Sequence, residues 1–164
     1  MAIANYMTVT DDKGQQIKGD VEISGREGLI EVLERSNKVS IPVDPQTKEN
    51  RGVRSHDTYK LTKVLDRSTP EFFNALANPK VWQSVQVDTY RVDKNGQEQL
   101  AYTDKLENVR VISAESVVSH VKDPNTKALP EVDKVELSYE KITRTWNNGN
   151  IQSVDDWKGG SKAA

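Results

Sequence analysis

The stretch IANYMTVTDDKGQQIKGDVEIS, Ile3 to Ser24, holds the local grammar of the chain in one piece. Its second half, Ile17 to Ser24, is the clearest strand in the sequence. Ile17, Gly19, Val21 and Ile23 point one way, and Lys18, Asp20, Glu22 and Ser24 the other, the period of a strand with one dry and one wet face. Its first half, Ile3 to Thr10, alternates more loosely, with Ile3, Met7 and Val9 in phase. Between them Asp11-Asp12-Lys13-Gly14 reads as a tight turn, because Gly14 supplies a positive φ without steric cost.

Working outward, the same turn grammar returns at Asp93-Lys94-Asn95-Gly96, between Val85–Val92 and Gln99–Tyr102. It returns again at Asn147-Asn148-Gly149-Asn150. Three such turns between alternating segments predict an antiparallel meander or barrel. Val135, Leu137 and Tyr139 form a further alternating face. The next apolar residue in that run, Ile142, is offset by three, which predicts a β-bulge near Glu140–Lys141. Val39, Ile41 and Val43 continue the pattern upstream, whereas Gly28 to Glu34 fits helix and strand alike. One helix is expected, about Pro70–Ala77. Ser68 and Glu71 have capping-box spacing, Pro70 sits in the first turn, and Asn78-Pro79 stops the helix.

Composition agrees with a β fold. Valine occurs 19 times against 9 Leu and 8 Ile, and branching at Cβ suits a pleated surface better than a helical turn. The chain has 164 residues, no cysteine, a formal charge of −2 and a mean hydropathy of −0.73. Its length fits one domain, expected over residues 1–157, with a flexible tail over 158–164. The missing thiols exclude a disulfide scaffold, thiolate metal sites and a cysteine nucleophile. Near-neutral charge with basic and acidic residues interleaved excludes a nucleic-acid groove and an anionic membrane surface as partners. No segment approaches the ~18 apolar residues of a membrane span.

The search for chemistry comes back empty. His56 and His120 stand far apart, without the spacing of a zinc site. Neither Ser55 nor Ser119 has the glycines of a nucleophile elbow. Asp11-Asp12 and Asp155-Asp156 lack the oxygen ladder of a calcium loop, and Asp11-Asp12 reads as turn chemistry. No catalytic residue, metal ligand or cofactor is expected. A β-rich domain without a catalytic constellation is a binding or structural module.

Four stretches, in order, then point to a family: IPVDPQTKENRGVRSH (Ile41 to His56), KLTKVLDRSTPEFFNAL (Lys60 to Leu76), YRVDKNGQEQLAYTDKLENVRV (Tyr90 to Val111) and VELSYEKITRTWNNGNIQSVDDW (Val135 to Trp157). With Lys122-Asp123-Pro124 they cover nearly the whole chain. In this order they resemble the haemolysin-coregulated protein family, Hcp, the tube subunit of the type VI secretion system. Relatives often carry an aromatic at the position of Arg144; here the aromatic stands two residues later, at Trp146.

The resemblance implies an antiparallel β-barrel of two packed sheets with one short flanking helix, and no enzymatic activity. It implies hexameric rings stacked into a hollow tube, assembled in the bacterial cytoplasm and expelled without a cleaved signal peptide. The partners implied are further copies of the chain, the sheath, spike and baseplate of the machine, and effector cargo. The long polar loop Val43 to Ser55 would touch the next ring, through Val43, Asp44, Pro45, Gln46, Lys48, Glu49 and Arg51. Arg144 and Trp146 are candidates for the boundary between subunits. The competing reading from another class is a monomeric ligand-binding β-barrel, which would need an apolar cavity.

Overall fold

The first strand forms where the alternation places it. In this computed structural model, which describes residues 3–157, β1 spans Ile3–Thr10, with Met7 and Val9 fully buried. The expected tail over 158–164 lies outside the described residues. At the turn, Asp11 Oδ1 accepts from the backbone N–H groups of Lys13 (2.9 Å) and Gln15 (2.8 Å), and Gly14 adopts φ +81°. The turn at Asp93 repeats this arrangement with Asn95, Gln97 and Gly96.

The strand expected at Ile17–Ser24 is the main correction. Of that stretch only Ile17, in β2 (Gln16–Ile17), pairs with β1. The chain then folds back on itself, with Gly19 N–H donating to Gly28 O (2.9 Å) and Gly28 N–H to Val21 O (2.9 Å). A Cβ on Gly19 would lie 2.5 Å from the Leu29 carbonyl oxygen, so the close approach depends on glycine. The alternation was real as far as Gly19, but Ile23 is 49% exposed.

The remaining elements are β3 (Ile30–Ser36), β4 (Val39–Ser40), β5 (Ser55–His56), β6 (Tyr59–Val64), α1 (Thr69–Ala77), β7 (Trp82–Val92), β8 (Glu98–Val117), β9 (Val132–Ser138), β10 (Lys141–Trp146) and β11 (Ile151–Asp156). The ambiguous segment before Glu34 thus resolves as strand, with Ile30 and Val32 buried and Leu33 turned out at a bulge.

Antiparallel pairing runs β8–β7–β1–β3–β6–β9, and β9 returns to β8, so six strands close on themselves. The length of β8 allows this, since residues 98–109 pair with β7 and residues 110–117 with β9. This closed sheet is the barrel that the resemblance implies, its opposite walls forming the two packed layers. Register shifts at Val32/Glu34, Thr89/Tyr90 and Val111/Ser113 supply the bends that closure requires. β10 and β11 extend the sheet beyond the barrel as a two-stranded wing along β8. The expected bulge near Glu140 appears as a break at Tyr139–Glu140. Glu140 N–H donates there to Glu107 O (3.1 Å), beside Asn108 at φ +53°.

The barrel is filled by inward residues of every wall, including Met7, Ile30, Leu61, Val87, Leu106 and Leu137. The helix packs against β8, and its Phe72 meets Trp82 edge-on at 5.0 Å. Its capping box does not form. Ser68 makes no side-chain cap bond; its hydroxyl donates instead to Asp66 Oδ1, which also accepts the Ser68 N–H (2.9 Å). Below the helix the fully buried Lys63 reaches Asp133 Oδ2 (3.0 Å), Asp66 Oδ1 (3.2 Å), Thr69 Oγ1 (3.1 Å) and Val64 O (3.0 Å).

Candidate functional site

The loop that the sequence singles out is a self-paired arm. β4 and β5 form a two-stranded sheet separate from the main one, with Val39 opposite His56 and Ser40 opposite Ser55. Farther out Val43 bridges Asn50. Asp44 organises the tip: its Oδ1 accepts from the N–H groups of Gln46 (2.8 Å) and Thr47 (3.1 Å), and its carbonyl accepts from Lys48 N–H (2.9 Å). The N–H of Thr47, then that of Gln46, holds the Asp44 carboxyl below its ordinary range. Val43, Pro45, Gln46, Lys48, Glu49 and Arg51 are all exposed, and Arg51 pairs only loosely with Asp44 (3.8 Å).

The alternation at Val39, Ile41 and Val43 therefore does not feed the core. These residues are 40%, 39% and 47% exposed, and Val53 is 79% exposed. At the outer end of the wing, Ile151 and Val154 are exposed as well. Large apolar side chains left exposed together on one element are the kind of surface that contacts cover. Among the described residues β11 pairs only with β10, which leaves its outer edge unpaired, and such an edge templates further strand pairing unless covered.

Where the arm leaves the barrel, a chain of hydrogen bonds runs inward. Arg54 grips Asp155 with a fork, Nε–Oδ2 2.6 Å and Nη2–Oδ1 2.5 Å. His56 Nε2 lies 2.8 Å from Asp155 Oδ2, and its Nδ1 lies 2.7 Å from the Tyr139 hydroxyl. Asn37 donates to that hydroxyl (3.2 Å) and accepts from Arg144 Nη2. Arg144 also acts on the Tyr102 phenol, opposing the rise that burial and Asp104 impose on it. Tyr102 and Tyr59 donate to the fully buried Asp104 at 2.6 and 2.7 Å, and Arg35 pairs with Asp104 at 3.1 Å. Burial, reinforced by the Asp104 carboxylate, pushes the Tyr59 phenol up, so it remains a donor.

The unbroken register of β10 puts Arg144 and Trp146 on one face, opposite Asp104 and Tyr102 of β8. Arg144 is thus a half-buried member of the inward network rather than a free surface cation. Trp146 stands at the rim, 38% exposed, with the Arg91 guanidinium 5.3 Å from its ring centroid. Sequence reasoning missed Asn37, Asp104, Tyr139 and Asp155 as a connected set. The signal available was the phase: Asp104 stands between Tyr102 and Leu106 in the inward alternation, and a carboxylate in that phase must find partners.

The Arg54 fork, followed by His56, holds Asp155 below the ordinary value of 3.8 against the opposing effect of burial. A depressed carboxyl contributes stability that is complete above its unfolded pKa and is lost as pH falls through the folded one. A carbon-13 titration should therefore place the Asp155 midpoint below 3.8, and Arg54→Ala should move it upward. A midpoint indifferent to Arg54 would refute the clasp.

Among the described residues no group of three or more His, Cys, Asp or Glu side chains is placed to hold a metal, and no helix is long and apolar enough to cross a membrane. His120 is exposed, and its Nδ1 accepts the Lys122 N–H (3.2 Å).

Comparison with known proteins adds to this geometry. Residues 6–146 match the family described as "Type VI secretion system effector, Hcp". The "Major exported protein" of Pseudomonas aeruginosa is 28% identical over 167 residues, spanning 96% of this chain and 97% of its own length. The solved Hcp1 protein from E. coli EAEC 042 is 36% identical with a TM-score of 0.84, covering 95% of this chain and 99% of that one. The secreted protein Hcp3 from Pseudomonas aeruginosa, 23% identical with a TM-score of 0.77, covers 95% and 99% and shares the fold.

Proposed function

Because the chain belongs to the Hcp family of type VI secretion system proteins, a family of structural proteins and not of enzymes, we propose that it is a ring subunit whose hexamers stack into a secretion tube. The observation that carries this reading is the pairing of two unfilled surfaces on one small barrel, an exposed arm and an open-edged wing. A closed ring requires each subunit to offer two different flanks that complement one another. The free edge of β11, with Ile151 and Val154, is one such flank. Trp146 at the rim belongs to the same boundary, and Arg144 would contribute to it by holding that face of β10 in place. The arm, carrying Asp44, Lys48, Glu49 and Arg51 at its tip, is assigned to the contact between rings. Sheath, spike and baseplate proteins would then meet the assembled tube rather than the single chain, and effector cargo would travel in its lumen before export.

The monomeric ligand-binding barrel is disfavoured by the interior, which is filled by side chains such as Met7, Val87, Leu106 and Leu137 where a ligand would sit. Size-exclusion chromatography with light scattering separates the two readings. A mass six times that of the 18.4 kDa chain is expected at micromolar concentration. A folded monomer persisting at high micromolar concentration would sink the ring.

A further inference from the structure

The arm continues the β3–β6 hairpin past a short break in the ladder: Ser36 pairs with Lys60, Asp57 N–H donates to Lys38 O (2.9 Å), and Val39 then pairs with His56. Because the ladder is interrupted there, side chains at the root add to what sets the direction of the arm relative to the barrel. Two of these, Arg54 and His56, lie two residues apart and so point to the same side of the strand. Both end on Asp155, 101 residues from Arg54 in sequence. Three charge-assisted hydrogen bonds from two different side chains onto one carboxylate restrain rotation as well as translation. The bond of His56 to Tyr139 and its stacking on Trp157, 6.0 Å between ring centroids, complete the socket.

Asp155 does not belong to the barrel wall. It lies on β11, opposite the buried Ile142 of β10, so it faces inward from the outermost strand of the wing. A strand held on one edge only is freer than one held on both. A neighbouring copy that covers the outer edge of β11 would therefore also steady the carboxylate that holds the arm.

We propose that Asp155 is a positioning residue that couples the two contacts of the assembly: cover on β11 fixes Asp155, and Asp155 fixes the direction of the arm. This rests on the reading of the arm as the ring-to-ring contact. A contact made by arms that point correctly only part of the time is weakened by that fraction, and six arms per ring multiply the loss. Asparagine cannot replace the carboxylate, because its NH2 group would face Arg54 or His56, both of which donate there.

The chain has no cysteine, so Thr47→Cys at the arm tip and Lys105→Cys on the outer face of β8 accept a clean pair of spin labels. Rings assembled with unlabelled chain in excess report the distance within one subunit. The expected result is a narrow distance distribution in rings and a broader one at dilutions where rings dissociate. Asp155→Asn should broaden the distribution in intact rings at least twofold. It should also raise the protein concentration needed for tubes about tenfold, which a fall of the competent population to about two-thirds at each of six arms suffices to produce. Arg54→Lys, which keeps the charge and loses the fork, should act in the same direction with ring formation unimpaired.

An unchanged width in both variants overturns the clasp. Equal widths in wild-type rings and free chains overturn the coupling to β11. Broadened arms with undiminished tube assembly would leave the clasp standing and overturn the coupling by removing the arm from stacking.

Discussion

Lys63→Ala is expected to remove a large share of the folding stability of this chain. The lysine is fully buried and stands between Asp133 and Asp66. Its removal leaves two carboxylates in a dry site beneath α1 with no cation, while Asp133 Oδ1 already lacks a hydrogen-bond partner. Breaking a buried ion pair from one side costs ~3–5 kcal/mol, against a total of ~5–15 kcal/mol for a domain. Thermal unfolding should fall by about 10 °C or more for a chain of this length. The apolar part of Lys63 matters less, which a second variant separates. Lys63→Met with Asp133→Asn keeps the volume, removes one charge of each sign and leaves an acceptor for the Thr69 hydroxyl. It should recover more than half of the loss. If Lys63→Ala instead unfolds within about 1 kcal/mol of wild type in a urea titration, the cluster does not hold the helix to the barrel.

The second large effect is on assembly. Lys48→Glu combined with Arg51→Glu should leave the ring intact and abolish tubes and secretion. Both side chains are exposed on an arm that pairs only with itself, so the barrel loses nothing except the loose Arg51–Asp44 contact. The tip now carries Asp44 and Glu49 against Lys48 and Arg51; after reversal all four are acidic. One exposed pair contributes only ~0–1 kcal/mol, but six tips act together, so a small repulsion per arm becomes decisive for the stack. Electron microscopy of the purified variant and a secretion assay check both arms of the expectation. Tubes and secretion at wild-type levels would place stacking elsewhere than on these charges.

How far the sequence could be read depended on whether the information was local. The three turns at Gly14, Gly96 and Gly149 were legible because a positive φ beside an Asp or Asn is written in adjacent residues, and all three glycines adopt it. β1, β7 and the helix followed from period and punctuation in the same way. Ile17 to Ser24 was misread for the complementary reason. Its alternation is real, but the partner that would make it a strand is absent, and Gly19 lets the chain turn back toward Gly28. Val39, Ile41 and Val43 carried the same period onto an arm with no core beneath it.

Short-range chemistry in the residues alone pointed to a valine-rich antiparallel meander or barrel, one short helix and a long polar loop, with no catalytic constellation; the choice of a barrel came from the family resemblance. Only the tertiary structure decided that β8 is shared between two walls, that Lys63 and Asp104 are buried, and that Asp155 holds the root of the arm. Alternation tells which side chains share a face, since that is fixed by the backbone period. It cannot tell which distant strand lies opposite, because that choice is made by the burial and pairing of the whole sheet at once. Arg54 and Asp155 lie 101 residues apart in the chain and within a hydrogen bond of each other in the fold.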